Sequence, residues 1–554
     1  MKTAIFVMEI GIASQIPTYS GGLGVLAADL AFSFADLGLP ATFVTLLSRD
    51  GYGFQKLDQE SGQLDAPQPW DYARILSPTG AWASFELGNS VQRVGAWEYE
   101  IKGKAETSVL FLDTDFPEND KNVREATERL YEGEIWHRLL QDIILGIGGY
   151  RILKALGRDA DVYHLNESHA AFATIDLLRD TGSPEATRQR CAFTTHTPIA
   201  AGNDAFPVAM VEEALSKYTW VDWNKESVAG SINLSRLAAK YSGVTNAVSM
   251  KHKYVAADVI GLGNISYVTN GVYHKRWVHD ELKGVYDRRL PGWQESPSLL
   301  AGATGIPVED LAQARKSVKK AMVAMVNDRT GLRLNEGALT ISVAKRVTSY
   351  KRNNMILSDS ERLQRIAAEK GEVQVIMAGK AHPRDDVGKG MLADTIRRAD
   401  LLNRGSQKVK VAVLENYDIE MAKLLVAGSD VWLNNPRRPL EACGTSGMKA
   451  AMNGGLNFSV HDGWWLEGGI EGVNGWGIGP RPEWKDLSAP VDGEDADDMY
   501  RKLADEIIPT YYSDRARWWN MSKTSIATVG PLFNSYRMAE DYVTKVYSLL
   551  QRNP

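Results

Sequence analysis

Three stretches of this chain combine cations, glycines and small residues in ways that serve anion or aldehyde chemistry. The first reads Ala344-Lys345-Arg346-Val347-Thr348-Ser349-Tyr350-Lys351-Arg352, directly after the apolar run 339–343. A strand ending there puts the basic group at the rim of a sheet. Arginine grips a phosphate at two points and lysine adds point charge, so we read an anion site. On a surface helix the same cations would be a solvated face. The second reads Glu441-Ala442-Cys443-Gly444-Thr445-Ser446-Gly447-Met448-Lys449. Residues 444–447 form a candidate phosphate-cradling turn opening a helix, and Lys449 follows on a segment that is otherwise small and apolar. A lysine in such surroundings has a depressed pKa and can form a Schiff base with an aldehyde cofactor. A lysine snorkelling to the surface has the same composition around it. The third is Tyr19-Ser20-Gly21-Gly22-Leu23-Gly24. Its glycines let backbone approach a ligand, and a helix starting there offers N–H groups to an anion. A tight turn without a ligand accounts for it equally well.

Polar residues recur after apolar runs elsewhere. They are Asn166-Glu167-Ser168-His169, Thr194-Thr195-His196-Thr197, Asn270-Gly271 and Glu415-Asn416-Tyr417. A single histidine in such a place is more often a hydrogen-bonded core residue than a catalyst. Four clusters at corresponding places would all face the same cleft.

The elements that must position these residues follow a repeating pattern of apolar run, loop and amphipathic segment, which is that of βα units on a parallel sheet. Strands are expected at 3–8, 41–47, 161–165, 191–195, 244–249 and 265–268, with helices at 22–37, 134–156 and 169–178. Residues 51–113 differ. Runs at 51–54, 91–100 and 108–112 read as strands with little helix between them, a β-rich insertion. A second series has helical segments over 298–327, strands at 339–343, 373–378, 409–414 and 430–433, and helices at 497–511 and 534–550. The fold class expected is α/β, with two Rossmann-like domains, 1–275 and 276–554, facing a cleft. Open parallel sheets bind ligands beyond the carboxyl ends of their strands.

Composition narrows the class of function. A chain of 554 residues is too long for one ordinary core. A net charge of −6 leaves no basic excess for a nucleic acid or an anionic membrane surface. Two cysteines, Cys191 and Cys443, exclude a disulfide framework. No metal site is expected, since no Cys/His set has zinc spacing. Residues 1–8 imitate a signal peptide, but Glu9 ends the apolar run too early. We read a buried first strand, no bilayer-spanning stretch, and a cytoplasmic location.

Taken together, these stretches resemble the glycogen phosphorylase family. Lys345-Arg346, with Tyr350-Lys351-Arg352, is similar to its KRIHEYKRQ motif, and Glu415-Asn416-Tyr417 to its ENY. Glu441 to Lys449 resembles EASGTGNMK, whose last lysine carries pyridoxal phosphate. Ser20 to Gly24 resembles NGGLG, Leu165 to His169 LNDTH, Thr195 to Thr197 NHT, and Thr269 to Trp277 TNGITPRRW. The order is kept from about residue 5 to 480. The pattern is closest to the short bacterial and archaeal branch, where Arg437-Arg438-Pro439 and Asp462-Gly463-Trp464-Trp465 recur. Departures are Cys443 for Ser, Ser446-Gly447 for Gly-Asn, Ser20 for Asn, and Gly11 where many members have Tyr.

The resemblance implies a two-lobed glycosyltransferase-B fold. The activity it implies is reversible phosphorolysis of α-1,4-glucan to α-glucose 1-phosphate, with retention. It makes Lys449 the tether of pyridoxal 5'-phosphate. Lys345, Gly444, Thr445, Ser446, Tyr417, Gly21 and Gly22 would attend the cofactor. Arg346 and Lys351 would hold the substrate phosphate. Asn270, His196, Glu441 and Gly444 would hold the transferred glucose, with Asn166, His169 and Gly24 also on the substrate side. Expected partners are the glucan and inorganic phosphate or glucose 1-phosphate, with a homo-oligomer left open. A sugar-nucleotide-dependent glucan synthase of the same fold and a non-catalytic glucan-binding relative are the alternatives.

Overall fold

The computed structural model describes residues 1–131, 133–198, 204–489 and 491–550. The chain divides into two compact units. One comprises Met1–Gly53, Pro67–Thr269 and Tyr536–Pro554, of which 551–554 lie outside the described residues, and the other Phe54–Ala66 and Asn270–Ser535.

The first unit is built on a sheet in the order Ser266–Tyr267, Val244–Ala247, Cys191–Thr194, Val162–Asn166, Thr3–Val7, Ala41–Leu46, Thr107–Asp113, Ser90–Ile101, Ser77–Leu87. Pairing is parallel from Ser266–Tyr267 through Thr107–Asp113, and the last two strands add antiparallel. Thr3–Val7 is buried at every position, as a strand covered on both faces must be. Ala4 and Phe6 enter one apolar cluster, Ile5 and Val7 another. The expected helix 134–156 is a continuous helical run, Ile135–Ile143, a π-helical turn at Ile144–Gly148, and Gly149–Ala155.

The second unit holds a parallel sheet in the order Val409–Leu414, Val373–Ala378, Leu339–Ala344, Val431–Asn434, Leu456–Val460, Gly475–Ile478. Leu339–Ala344 is wholly buried. Leu339, Ile341 and Val343 share a core with Tyr500, Ile507 and Trp518 of the later helices.

Two segments lie elsewhere than the sequence reading placed them. The hairpin Phe54–Asp58 with Gly62–Ala66 falls within the expected insertion of the first domain, yet it belongs to the second unit. Gln55 donates to the Gly379 carbonyl at 2.9 Å and Gln63 to the Ala381 carbonyl at 2.9 Å. The last helical run, Ser535–Tyr542 through Leu550, was expected with the second domain. Met538, Tyr542, Val546 and Tyr547 instead pack with Ile5 and Val7 in the first unit. Among the described residues no helix is long and apolar enough to cross a membrane.

Candidate active site

In a doubly wound sheet, ligands collect where the strand order reverses. In the second unit that point lies between Leu339–Ala344 and Val431–Asn434. Lys345 leaves the first strand, and Asn434 and Asn435 leave the second. The Lys345 ammonium donates to Asn435 Oδ1 at 2.7 Å and reaches Asn434 Oδ1 at 3.4 Å. Burial, and then the Lys351 charge, pushes Lys345 well below the usual lysine range. Neutral amides do not offset the lost hydration of a cation. Lys351, on the same loop, forms an ion pair with Glu441. Burial alone would lower its pKa, but Glu441 and Tyr350 hold it above the ordinary value. Two lysines of one loop are thus driven in opposite directions. Arg346 is exposed at the same strand end.

Glu441 is set by its backbone N–H, which donates to Asp462 Oδ2 at 2.9 Å. Gly444 follows with φ +88°, and a Cβ there would sit 3.3 Å from Glu441 Cγ and 3.5 Å from Asn434 Nδ2. Ser446 Oγ accepts from Trp432 Nε1 at 3.0 Å, which leaves its own O–H for another acceptor. Thr445 and Ser446 lead into the helical turn Ser446–Met452, where Lys449 is only 7% exposed. Its ammonium lies 3.7 Å over the Trp277 ring centroid. Asn453 bonds both the Trp277 and Lys449 carbonyls at 2.8 Å, which holds the tryptophan against the helix. The snorkelling alternative is therefore excluded, because Lys449 points inward onto an aromatic face. Asn270 is buried in the same unit, and Tyr417 is half-buried after Val409–Leu414. Its neighbours serve the hairpin. Leu57 N–H donates to Glu415 Oε2 at 2.9 Å and Gln55 N–H to Asn416 Oδ1 at 3.3 Å.

In the first unit the reversal lies between Thr3–Val7 and Val162–Asn166. Glu9 follows the first of these strands. Its carboxylate accepts from the backbone N–H of Ser20, from Gly21 N–H at 3.2 Å, and from the Ser20 and Tyr131 hydroxyls at 3.2 Å each. The Gly21 N–H is thus turned to Glu9. A Cβ at Gly21 or Gly22 would meet nothing within 4 Å, so the loop presents open backbone there. Gly24 is different. A Cβ would lie 2.7 Å from Tyr19 Cβ and 3.0 Å from Glu9 Oε2, so this glycine is needed for packing.

Asn166 ends the neighbouring strand, and Glu167 follows at φ 83°. His196 Nε2–H donates to Asn166 Oδ1 at 2.7 Å, which leaves Nδ1 as an acceptor. Burial pulls His196 down to about 3, so it is a neutral imidazole and not a cation for phosphate. Glu167 accepts from His196 N–H at 2.6 Å and the Thr197 hydroxyl at 2.9 Å, holding this turn in place. His169 lies 3.5 Å from Asp204, which pairs with Arg138 at 2.6 Å. Burial lowers His169 to about 4. Glu9, Asp462 and Asn435 were absent from the expected site. Glu9 and Asn435 are polar residues past apolar runs with no role read for them, and Asp462 was noted only as the start of the recurring Asp462-Gly463-Trp464-Trp465 stretch.

The profile of the carbohydrate phosphorylase family matches residues 222–469, a span that contains Asn270, Lys345, Lys351, Glu441 and Lys449. The maltodextrin phosphorylase of Thermococcus litoralis is 38% identical over 604 aligned residues, covering 99% of this chain and 71% of that protein. The glycogen phosphorylase of Mycobacterium tuberculosis is 34% identical, covering 98% and 70%. That of Aquifex aeolicus is 34% identical, covering 98% and 85%. With similarity of this extent and the lysine-rich loop, the Glu441 turn and Lys449 gathered in one unit, the chain belongs to the carbohydrate phosphorylase family.

Proposed function

We propose that this chain is an α-1,4-glucan phosphorylase of the glycosyltransferase-B fold, converting glucan and phosphate reversibly to α-glucose 1-phosphate with retention. The observation that carries the reading is Lys449, a buried amine stacked on Trp277, in the unit where Lys345, Lys351 and Glu441 converge.

Pyridoxal 5'-phosphate fits these residues. Lys449 offers an inward-facing amine for its aldehyde. The turn at Gly444, crowded against Glu441 and Asn434, offers backbone and the hydroxyls of Thr445 and Ser446 to a phosphate. Lys345 supplies a cation, with Tyr417 and the open backbone of Gly22 and Gly21 as further contacts. When bound, the cofactor supplies a phosphate that exchanges a proton with the substrate phosphate.

The chain's own groups account for the remaining steps. Burial and the Lys351 charge weaken the hold of Lys345 Nζ on its proton relative to an ordinary lysine, so the group can share that proton with a phosphate oxygen. Lys351, kept charged by Glu441, and exposed Arg346 attract the substrate phosphate. Asn270, Glu441, the Gly444 backbone and the neutral His196 orient the glucose, with Asn166, His169 and Gly24 shaping the glucan side. A phosphate oxygen bonds to the anomeric carbon on the face from which the chain's O4 leaves, and the phosphate's proton passes to that oxygen. The backbone carbonyl at His196 supplies electron density to the cationic sugar.

The test is release of glucose 1-phosphate from maltodextrin plus phosphate, together with borohydride reduction and peptide mapping of the loaded protein. Phosphate-dependent release and label on Lys449 are expected. Activity only with a nucleotide sugar, or label on another lysine, overturns the reading.

A further inference from the structure

Behind the lysine loop and the Glu441 turn stands a set of charges that the proposed chemistry does not use. Arg352 follows Lys351 in a left-handed conformation, φ 48°, and is buried. Its guanidinium is fully engaged. Nε donates to the Asn435 carbonyl at 2.9 Å, one terminal nitrogen to Asp492 Oδ1 at 2.9 Å, and the other to the Pro436 carbonyl and Asp495 Oδ2, both at 2.7 Å. Arg438, three residues before Glu441, donates to Asp495 Oδ1 at 2.8 Å. Arg437 pairs with Asp492 through two nitrogens.

Asp495 is therefore a fully buried carboxylate with one arginine on each oxygen. One arginine belongs to the loop carrying Lys345 and Lys351, the other to the loop carrying Glu441. Both acids sit in the first turn of the helix Asp492–Lys502, and the Arg437 N–H also donates to the Tyr350 carbonyl at 2.7 Å. Gly479 makes room for the junction, since a Cβ there would overlap Asp495 Oδ1 and crowd the Arg438 guanidinium. Two loops from two strands are thus locked through one helix end, immediately beside the Lys351–Glu441 pair.

We propose that Asp495, assisted by Asp492, is a positioning residue that sets the spacing of Lys351 and Glu441 and so the geometry in which phosphate meets the sugar. This rests on reading Lys351 and Glu441 as the phosphate and glucose groups of the site. Asp495 touches neither substrate. It neutralises two buried guanidinium groups whose loops would otherwise repel, and it does so in a fixed, two-armed geometry. Altering the partners that orient metal ligands costs roughly ten- to a hundredfold in affinity, and we expect an effect of the same order here.

The experiment uses the full, cofactor-loaded chain with Asp495→Asn, which keeps shape and removes charge. Inorganic phosphate binding is measured by calorimetry without glucan, alongside KM for phosphate, KM for maltodextrin and bound cofactor. Phosphate Kd and KM rise roughly ten- to a hundredfold, maltodextrin KM rises less because Asn270 and His196 also orient the glucose, and cofactor content is unchanged. A phosphate Kd within about twofold of the parent overturns the proposal, because a purely stabilising acid would lower the melting temperature and leave binding intact. Should Asp495→Asn not fold, Asp492→Asn decides. Its carboxylate is about half exposed, and a rise of about threefold or more in phosphate Kd supports the clamp while an unchanged value overturns it. Lys351→Ala is measured in parallel. If Lys351→Ala weakens phosphate binding and the Asp variants do not, only the clamp fails. If Lys351→Ala also leaves phosphate binding unchanged, the reading of the site falls and the clamp with it.

Discussion

His164 gives the sharpest physical test of the dry environment behind the candidate site. It lies in Val162–Asn166, the strand that presents Asn166 and leads into Glu167. Its ring bonds the Tyr547 hydroxyl at 2.8 Å and the Thr194 hydroxyl at 2.7 Å, with no charged partner. Burial alone pulls its pKa from 6.5 to about 3. The folded state therefore binds fewer protons than the unfolded chain. Stability from this group is full above pH 6.5 and is lost as pH falls toward the folded value. Between pH 7 and 5 the unfolded imidazole gains a proton that the folded one refuses, a loss of about 1.9 kcal/mol.

His164→Gln keeps hydrogen-bonding capacity and removes that titration. The variant carries a packing penalty at every pH, so only the change with pH counts. The stability gap between parent and variant should narrow by about 1.9 kcal/mol from pH 7 to 5. Contributions from other titrating groups cancel in the difference. Urea unfolding followed by peptide-level hydrogen exchange reports the first unit separately from the second. A gap constant within about 0.5 kcal/mol across that range would refute the reasoning. It would mean that the imidazole titrates normally in the fold, and the same argument for a neutral His196 would fall with it.

Two further predictions concern the same unit. Asp142 is buried, and burial, then the Asp204 charge, raises it well above 3.8 while Arg138 opposes. Its contribution is full below the unfolded pKa and is lost as pH rises through the folded one, at up to about 1.4 kcal/mol per pH unit. Asp142→Asn should therefore gain on the parent as pH rises above about 4 in urea melts, and a gap independent of pH contradicts this. In the glycine loop, Gly24→Ala should cost about 1–3 kcal/mol by thermal melting through overlap with Tyr19 and Glu9. Gly22→Ala meets open space, so it should leave the melting temperature unchanged or raised and lower phosphorolysis, and full activity in Gly22→Ala would remove the loop from the site.

The parallel strands were legible because each is an apolar run buried on both faces, and their carboxyl ends because polar residues begin abruptly there. The helix Gly22–Leu37 and the strands Val373–Ala378 and Val409–Leu414 occur at the expected residues. The hairpin 54–66 was legible as β-structure but not as part of the second unit. Its register with Gly379 and Ala381 is written in two glutamines, whose partners lie more than three hundred residues away. The last helix was misplaced for a similar reason. An amphipathic face shows that a helix packs, not on which core.

The candidate site divides along the same line. Cations, glycines and the lysine on a small-residue helix carry their chemistry in their types and spacing, and the family resemblance named their roles. The acids one layer behind do not. Glu9 holds the glycine loop, Glu167 the His196 turn, Asp462 the Glu441 backbone and Asp495 the two arginines. Each is a single carboxylate whose partners are backbone N–H groups, hydroxyls or guanidinium groups of other segments. A site that must gather phosphate needs mobile positive charge at its face, and loops bearing such charge repel one another. Carboxylates bonded to the backbone and arginines of those loops hold them in place. The residues expected at the site were thus legible in the sequence, whereas the acids that hold their loops become visible only where the fold brings them in behind.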